Sequence, residues 1–275
     1  MFLLYIVEEN MKKEGKHFKK KKINKKFYIL LIIIFITSIS FIIYNKYNQS
    51  KNEKINEEVQ EFISTNNDKN NSNSENIERI EKVKELQKEN SDIVGWLEIE
   101  NSNINYPVLQ GEDNSFYMTH NYKKEYSVDG SIFLDKDYDW NIPSANLLLY
   151  GHNNRGSKEM FVDLMNYKDE NYYKKHKIIR FTTNEEDAEY EIISVFLSRV
   201  YYKHETNVFR YYYFINAANE QEFNNYVKNS KKASLYNIDT TAKYGDQLLT
   251  LSTCEFSQED GRLAVVARKI NNSNN

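Results

Sequence analysis

Leu248-Leu249-Thr250-Leu251-Ser252-Thr253-Cys254 passes into the polar turn Glu255-Phe256-Ser257-Gln258-Glu259-Asp260 and is answered by Arg262-Leu263-Ala264-Val265-Val266-Ala267. Both apolar runs have strand length and strand composition, so they predict two neighbouring strands. A return strand retraces the rise of the one before it. Cys254 and Arg262, eight positions apart, are therefore expected side by side. Cys254 is the only cysteine of the chain and has no internal disulfide partner. It is either an inert core thiol, a common fate of cysteine, or a nucleophile. Its place at a strand exit beside polar residues favours exposure.

Upstream of this pair the apolar segments are also short. Strands are expected at 95–100, at 104–109 (where Pro107 suits an edge or strand end), at 130–134 and at 146–150. Further candidates are 177–182, 188–202 and 211–214. Helical spacing is seen at 77–89, where Ile77, Ile80, Val83 and Leu86 recur among charges, and at 216–230. A helix is also expected within 157–167. No regular strand-then-helix alternation appears, so a closed or nearly closed β-barrel is the expected class.

The ends of the chain have other compositions. Between Lys12 and Lys26 stand nine lysines and one acidic residue, and residues 27–44 then carry no charge. Such a run is long enough for a slightly short membrane-spanning helix, and its basic flank puts the N-terminal side in the cytoplasm. A cleaved signal peptide is the rival reading, but no Ala-x-Ala-like site follows. The start is Met1 or Met11. The expected division is a basic cytoplasmic N-terminus at 1–26, a transmembrane helix at 27–44, a polar stalk at 45–76, an extracellular catalytic domain at 77–270 and a polar tail at 271–275. Over the 275 residues, 37 Lys and Arg face 40 Asp and Glu, which gives no global field for nucleic acid.

Of the five histidines, His17 lies in the basic flank, while His176 and His204 sit in charged turns. His120 has no cue either way. His152 directly follows an apolar strand and Gly151, a setting that can present an imidazole at the rim of a sheet. Zinc needs three or four close ligands, and the chain has neither Cys-x-x-Cys nor His-Glu-x-x-His, so no metal and no cofactor is expected. Serine chemistry lacks its Gly-x-Ser-x-Gly elbow. What remains is a thiol that needs a base or a cation, an imidazole to move protons, and a guanidinium to face developing negative charge. For Arg262 the plain alternative is a surface bridge to Glu255 or Asp260, and Arg268 on the same face is the second choice.

These residues carry a resemblance. Thr250-Leu251-Ser252-Thr253-Cys254, Gly261-Arg262-Leu263-Ala264-Val265-Val266-Ala267 and Tyr150-Gly151-His152-Asn153 resemble the motifs of the sortase family of Gram-positive bacteria, class B above all. Asp92-Ile93-Val94-Gly95-Trp96-Leu97, Ile104-Asn105-Tyr106-Pro107-Val108-Leu109-Gln110, Asp113-Asn114-Ser115-Phe116-Tyr117 and Gly130-Ser131-Ile132-Phe133-Leu134-Asp135 extend the match over 77–270. The resemblance implies a mainly β fold, an eight-stranded barrel with an N-terminal helical extension and a helix inserted before the seventh strand. It implies a cysteine transpeptidase with Cys254 as nucleophile, His152 as general acid and base, and Arg262 as oxyanion and substrate-positioning residue. Ser252, Thr253 and Glu255 are implied as substrate-binding, Ser252 through its hydroxyl and Glu255 through its backbone N–H; for Ser252, ordinary strand pairing is the alternative. The implied partners are secreted proteins bearing a C-terminal sorting signal (Asn-Pro-x-Thr, or Ser/Pro-Pro-x-Thr-Gly) and an amine of a peptidoglycan precursor or cross-bridge. Three alternatives stay open: a secreted cysteine endopeptidase without transfer, a pilin-polymerising sortase, and a non-catalytic wall-associated module.

Overall fold

A computed structural model describes residues 25–64, 72–142 and 144–270. The basic segment before residue 25, part of the expected stalk and the polar tail at 271–275 lie outside the described residues. The chain divides into two compact units, Met1–Lys46 and Tyr47–Asn275.

The first unit contains the opening turns of helix α1 (Lys25–Ile63), which is long and apolar enough to cross a membrane. Its large apolar side chains from Phe27 to Tyr44 all stand exposed. An all-round apolar surface of this kind has no aqueous partner.

The second unit is a closed barrel of eight strands: β1 (Ile93–Glu98), β2 (Asn105–Leu109), β3 (Ile132–Leu134), β4 (Asn146–Tyr150), β5 (Ile178–Thr182), β6 (Asp187–Arg199), β7 (Leu248–Cys254) and β8 (Gly261–Lys269). Around the barrel they run in the order β1-β2-β3-β4-β7-β8-β6-β5. Closure leaves no unpaired edge. Pairing is parallel between β2 and β3 and between β4 and β7, and antiparallel elsewhere.

Alternation along the strands sorts the side chains. Leu147 and Leu149 of β4, Leu249 and Leu251 of β7, and Leu263, Val265 and Ala267 of β8 fill the barrel interior. Leu148, Leu248, Ala264 and Val266 point outward and are buried beneath α4 (Glu220–Ala233) and the 3-10 turn Tyr211–Tyr213. α4 presents Phe223, Tyr226, Val227 and Ser230 to the sheet. Its Asn219 cap accepts from the Glu222 N–H, with acidic residues in the first turn and lysines in the last, all favourable to the helix dipole. A third cluster packs Val83 and Leu86 of α2 (Ser72–Glu89) with Ile93 and Trp96.

Several expectations are corrected. The stretch 45–76, expected as a solvated stalk, is helical to Ile63, and Asn52, Ile55, Asn56, Val59 and Ile63 are buried at helical spacing. Ile55, Val59 and Ile63 join the Val83–Trp96 cluster, while Asn52 and Asn56 bond to Tyr126 O and to the Glu159 carboxylate. Ile77 of the expected apolar stripe is exposed. The run 211–214 is a 3-10 turn because its aromatic rings pack on the outer face instead of pairing in a ladder. Within 157–167 only a 3-10 turn, Asp163–Lys168, begins, and the short helix α3 (Glu170–Lys175) follows on its Asp169 cap.

Candidate active site

Three outward-facing positions meet where the covering layer stops. On β7 the outward series Leu248, Thr250 and Ser252 ends at Cys254, which is half-buried. On β8, Arg262 precedes Ala264 and Val266 on the same outward face, and its Cα pairs directly with that of Cys254. On β4 the outward series Leu148 and Tyr150 leads to His152. All three line one groove of about 250 Å³, together with Tyr150 and Ser252. Asn114, Met118, Val200, Tyr211 and Tyr212 also line it.

The β4–β7 ladder sets the relation between His152 and Cys254. Asn146 pairs with Leu248 and each later pair keeps the same offset, up to Tyr150 with Ser252. Beyond the strand end the register is carried on by three bonds: Gly151 N–H to Ser252 O (3.2 Å), Thr253 Oγ1–H to Gly151 O (2.8 Å) and Asn153 Nδ2–H to Cys254 O (3.0 Å). The same loop is fixed from below, where Phe161 N–H donates to His152 O (2.9 Å). A Cβ at Gly151 would lie 2.6 Å from the Phe161 ring, so only glycine fits this approach.

His152 Nε2 is 2.8 Å from the Met118 carbonyl. A carbonyl only accepts, so Nε2 carries the hydrogen and Nδ1 is the nitrogen left to exchange a proton. Met118 is held by a close backbone crossing: Gly130, at φ +59, passes so near that a Cβ would lie 2.6 Å from Met118 O. Arg262 donates from Nη1 to the carbonyls of Gly261 (2.8 Å) and Asp260 (3.3 Å). It makes no ion pair among the described residues, so neither bridge expected as its surface alternative is formed. Arg268 lies at the far end of β8, paired with Glu191 at 3.1 Å.

The remaining substrate-binding candidates divide. Ser252 is in the groove, and its hydroxyl is 2.8 Å from that of Tyr211. Thr253 borders the groove, but its hydroxyl is committed to Gly151 as described. Glu255 is corrected more sharply: its N–H donates to Gly261 O (2.9 Å), so the expected oxyanion donor is already engaged in the β7–β8 turn. Its carboxylate is buried below the turn with Lys168 at 2.8 Å. Burial alone would raise that carboxyl's pKa, but Lys168 and the Ser257 hydroxyl and N–H hold it down at about 2. Burial pushes the Tyr211 phenol up to about 12, against the opposing pull of Ser252 and Arg262.

Sequence reasoning missed Asn153, Met118, Tyr211 and Lys168. Asn153 stood next to His152 and was available as a signal; the other three carry none without the fold. Among the described residues no group of three or more His, Cys, Asp or Glu is placed to hold a metal ion.

The chain has known relatives. A family model described as the Sortase domain matches residues 97–270. Sortase B of Staphylococcus aureus (strain NCTC 8325 / PS 47) is 30% identical over 244 residues, which cover 88% of this chain and 94% of that protein. The structure of a Staphylococcus aureus sortase B-substrate complex superposes with a TM-score of 0.69 at 28% identity, covering 82% of this chain and 98% of that one. A sortase B complexed with triglycine gives a TM-score of 0.68 at 29% identity, covering 80% and 98%.

Proposed function

The chain belongs to the sortase family as a class B cysteine transpeptidase, and from that premise we propose that Cys254, His152 and Arg262 act on the C-terminal sorting signal of a secreted protein. The Cys254 thiolate attacks the threonine carbonyl of an Asn-Pro-x-Thr or Ser/Pro-Pro-x-Thr-Gly motif. Arg262, with no carboxylate partner among the described residues, faces the oxygen as it becomes an oxyanion. His152 gives a proton from Nδ1 to the departing amine, which leaves the substrate as a thioester on Cys254. An amine of a peptidoglycan precursor or cross-bridge then enters and loses a proton to His152. Its attack releases the thiolate and leaves the substrate joined by a new amide bond. The relative solved with triglycine supports a peptide amine as acceptor.

The apolar stretch of α1, with a lysine-rich flank before it, supports a single-pass anchor with the N-terminus cytoplasmic and the catalytic domain outside. The observation that carries the reading is the shared groove, in which the three side chains emerge from three adjoining strands on one face.

The test is mass spectrometry of the intact protein with a library of sorting peptides, with and without a glycine-peptide amine. The expected result is an acyl adduct on the wild type, none on Cys254→Ala, and an amide-linked product when amine is present. Free acid alone at saturating amine would make the protein an endopeptidase, and a wild type that never acylates would remove the reading.

A further inference from the structure

The later half of α1 buries one face, and two of its side chains, Asn52 and Asn56, are amides one turn apart. A face that served only to dock the helix would be apolar there, as it is at Ile55, Val59 and Ile63. A buried amide costs free energy unless it is bonded, and each of these two is bonded to a segment far along the chain.

Asn52 holds the segment that carries Met118. The chain turns back there in a short hairpin, closed by Ser127 N–H to Thr119 O (2.9 Å) and by the bridge between His120 and Tyr126. At its tip, Asn121 accepts at Oδ1 from the N–H groups of Lys123 (2.9 Å) and Glu125 (3.0 Å), and its Nδ2–H donates to Asn52 Oδ1 at 2.7 Å. Asn52 Nδ2–H donates in turn to Tyr126 O at 3.3 Å. The Met118 carbonyl that accepts from His152 Nε2 lies at the base of this hairpin.

Asn56 holds the segment that follows His152. Its Nδ2–H donates to Glu159 Oε2 at 2.6 Å, and the Tyr106 hydroxyl of β2 donates to the same oxygen at 3.1 Å. Two residues beyond Glu159, Phe161 N–H holds the His152 carbonyl. Asn154 joins the two segments, donating from Nδ2 to Val128 O (2.9 Å) and Asp129 Oδ1 (3.0 Å). One helix therefore bonds to both supports of the imidazole: the hairpin whose carbonyl Nε2 meets, and the loop that fixes its backbone. Apolar packing is non-directional, whereas a hydrogen bond demands alignment, so the two amides set position where the apolar stripe sets only affinity.

We propose that Asn52 and Asn56 are positioning residues for the acid-base step, which hold the two loops from one rigid helix and so keep His152 aligned with Cys254. The inference rests on the transpeptidase reading of the groove.

The test uses the full chain in lipid nanodiscs and an active sorting peptide. Leucine has the same branched heavy-atom skeleton as asparagine, so Asn52→Leu and Asn56→Leu keep the face filled and remove the bonds. With both changes, kcat for acylation should fall roughly three- to tenfold, the range of about one hydrogen bond. KM for the peptide should stay within about twofold, because neither residue lines the groove. Nitrogen-15 spectra of His152, assigned by their loss in His152→Ala, report alignment separately from stability. The wild type should show neutral His152 as the Nε2–H form and the double variant a mixture with the Nδ1–H form. Glu159→Gln keeps an oxygen for Asn56 and should retain most of kcat. Glu159→Met keeps the length without the oxygen and should lose kcat as Asn56→Leu does.

A wild-type kcat in the double variant, a loss of kcat matched by an equal loss of folded protein, or an unaltered His152 spectrum would overturn the proposal. Where the double variant fails to fold, the two Glu159 variants decide it alone: equal kcat values sink it. Variants that match a normally acylating wild type overturn the proposal and leave the transpeptidase reading standing; a wild type that never acylates removes both.

Discussion

His152 and Cys254 lie at the same offset that pairs every residue of β4 with its partner on β7, so the imidazole and the thiol leave adjacent parallel strands at the same level. The Thr253 hydroxyl to Gly151 carbonyl bond is the rung that carries this register past the end of the ladder. Strand pairing and the loop bonds that extend it together bring the two groups to one level.

The bond from His152 to the Met118 carbonyl sets the tautomer. Neutral His152 should carry its hydrogen on Nε2, as read from nitrogen-15 imidazole spectra at alkaline pH. A neutral His152 that carries its hydrogen on Nδ1 and none on Nε2 would contradict the proton path proposed for the groove. His152→Ala should lower kcat/KM by about 100-fold or more, with little change in Tm.

Arg262 is held by two backbone carbonyls through one nitrogen, and among the described residues the rest of its donor fork has no partner. Arg262→Lys keeps the charge but not the fork. Acylation should fall by roughly 100-fold, the range for loss of an oxyanion donor. Retention of wild-type acylation by the lysine variant would assign Arg262 to charge alone.

Gly151 is crowded by a buried aromatic ring. Gly151→Ala should cost about 1–3 kcal/mol in chemical denaturation, as overpacking does. Activity should drop more than stability explains, since the displaced residue is next to His152. A folded, fully active alanine variant would show that the approach can relax.

The Glu255 carboxyl is held at about 2, below its ordinary 4.5. A depressed folded value contributes stability that is fully present above the unfolded value and is lost as pH falls through the folded one. Acid should therefore weaken the fold between about pH 4.5 and 2, by about 1–3 kcal/mol after allowing for the part-exposed Lys168. Glu255→Gln should flatten that part of the stability-pH curve, and an unaltered curve would rule the pair out as its cause.

Because Ile55, Val59 and Ile63 are buried, the position of a truncation matters. A chain beginning at Tyr47 should fold with nearly full stability. One beginning at Ser72 loses three buried apolar side chains, each worth about 1.5–3 kcal/mol. Denaturant midpoints compare the two, and equal values would show that these turns add nothing.

Much of the site was legible because it follows from local rules. Cys254 and Arg262 meet through a hairpin spacing, and His152 stands out by following an apolar strand and a glycine. The pairing of β4 with β7 was not legible, since parallel neighbours far apart in sequence leave no local mark. Tyr211 was misread because three tyrosines and a phenylalanine suit a strand as well as an aromatic turn packed on one. The later half of α1 hid its helical stripe of Asn52, Ile55, Asn56, Val59 and Ile63 within a polar composition, where two of the buried positions are asparagines.

The parallel ladder also frees the chain between its two rails. Residues 153–247 leave the end of β4 and return to the start of β7, carrying on the way β5 and β6, which keep fixed places in the barrel. That excursion can lengthen, shorten or exchange its decorations while the reacting pair stays in step, provided the two strands keep their alignment. A family built this way can diversify what it recognises without re-solving how it reacts, and an engineer can graft new recognition into the same interval.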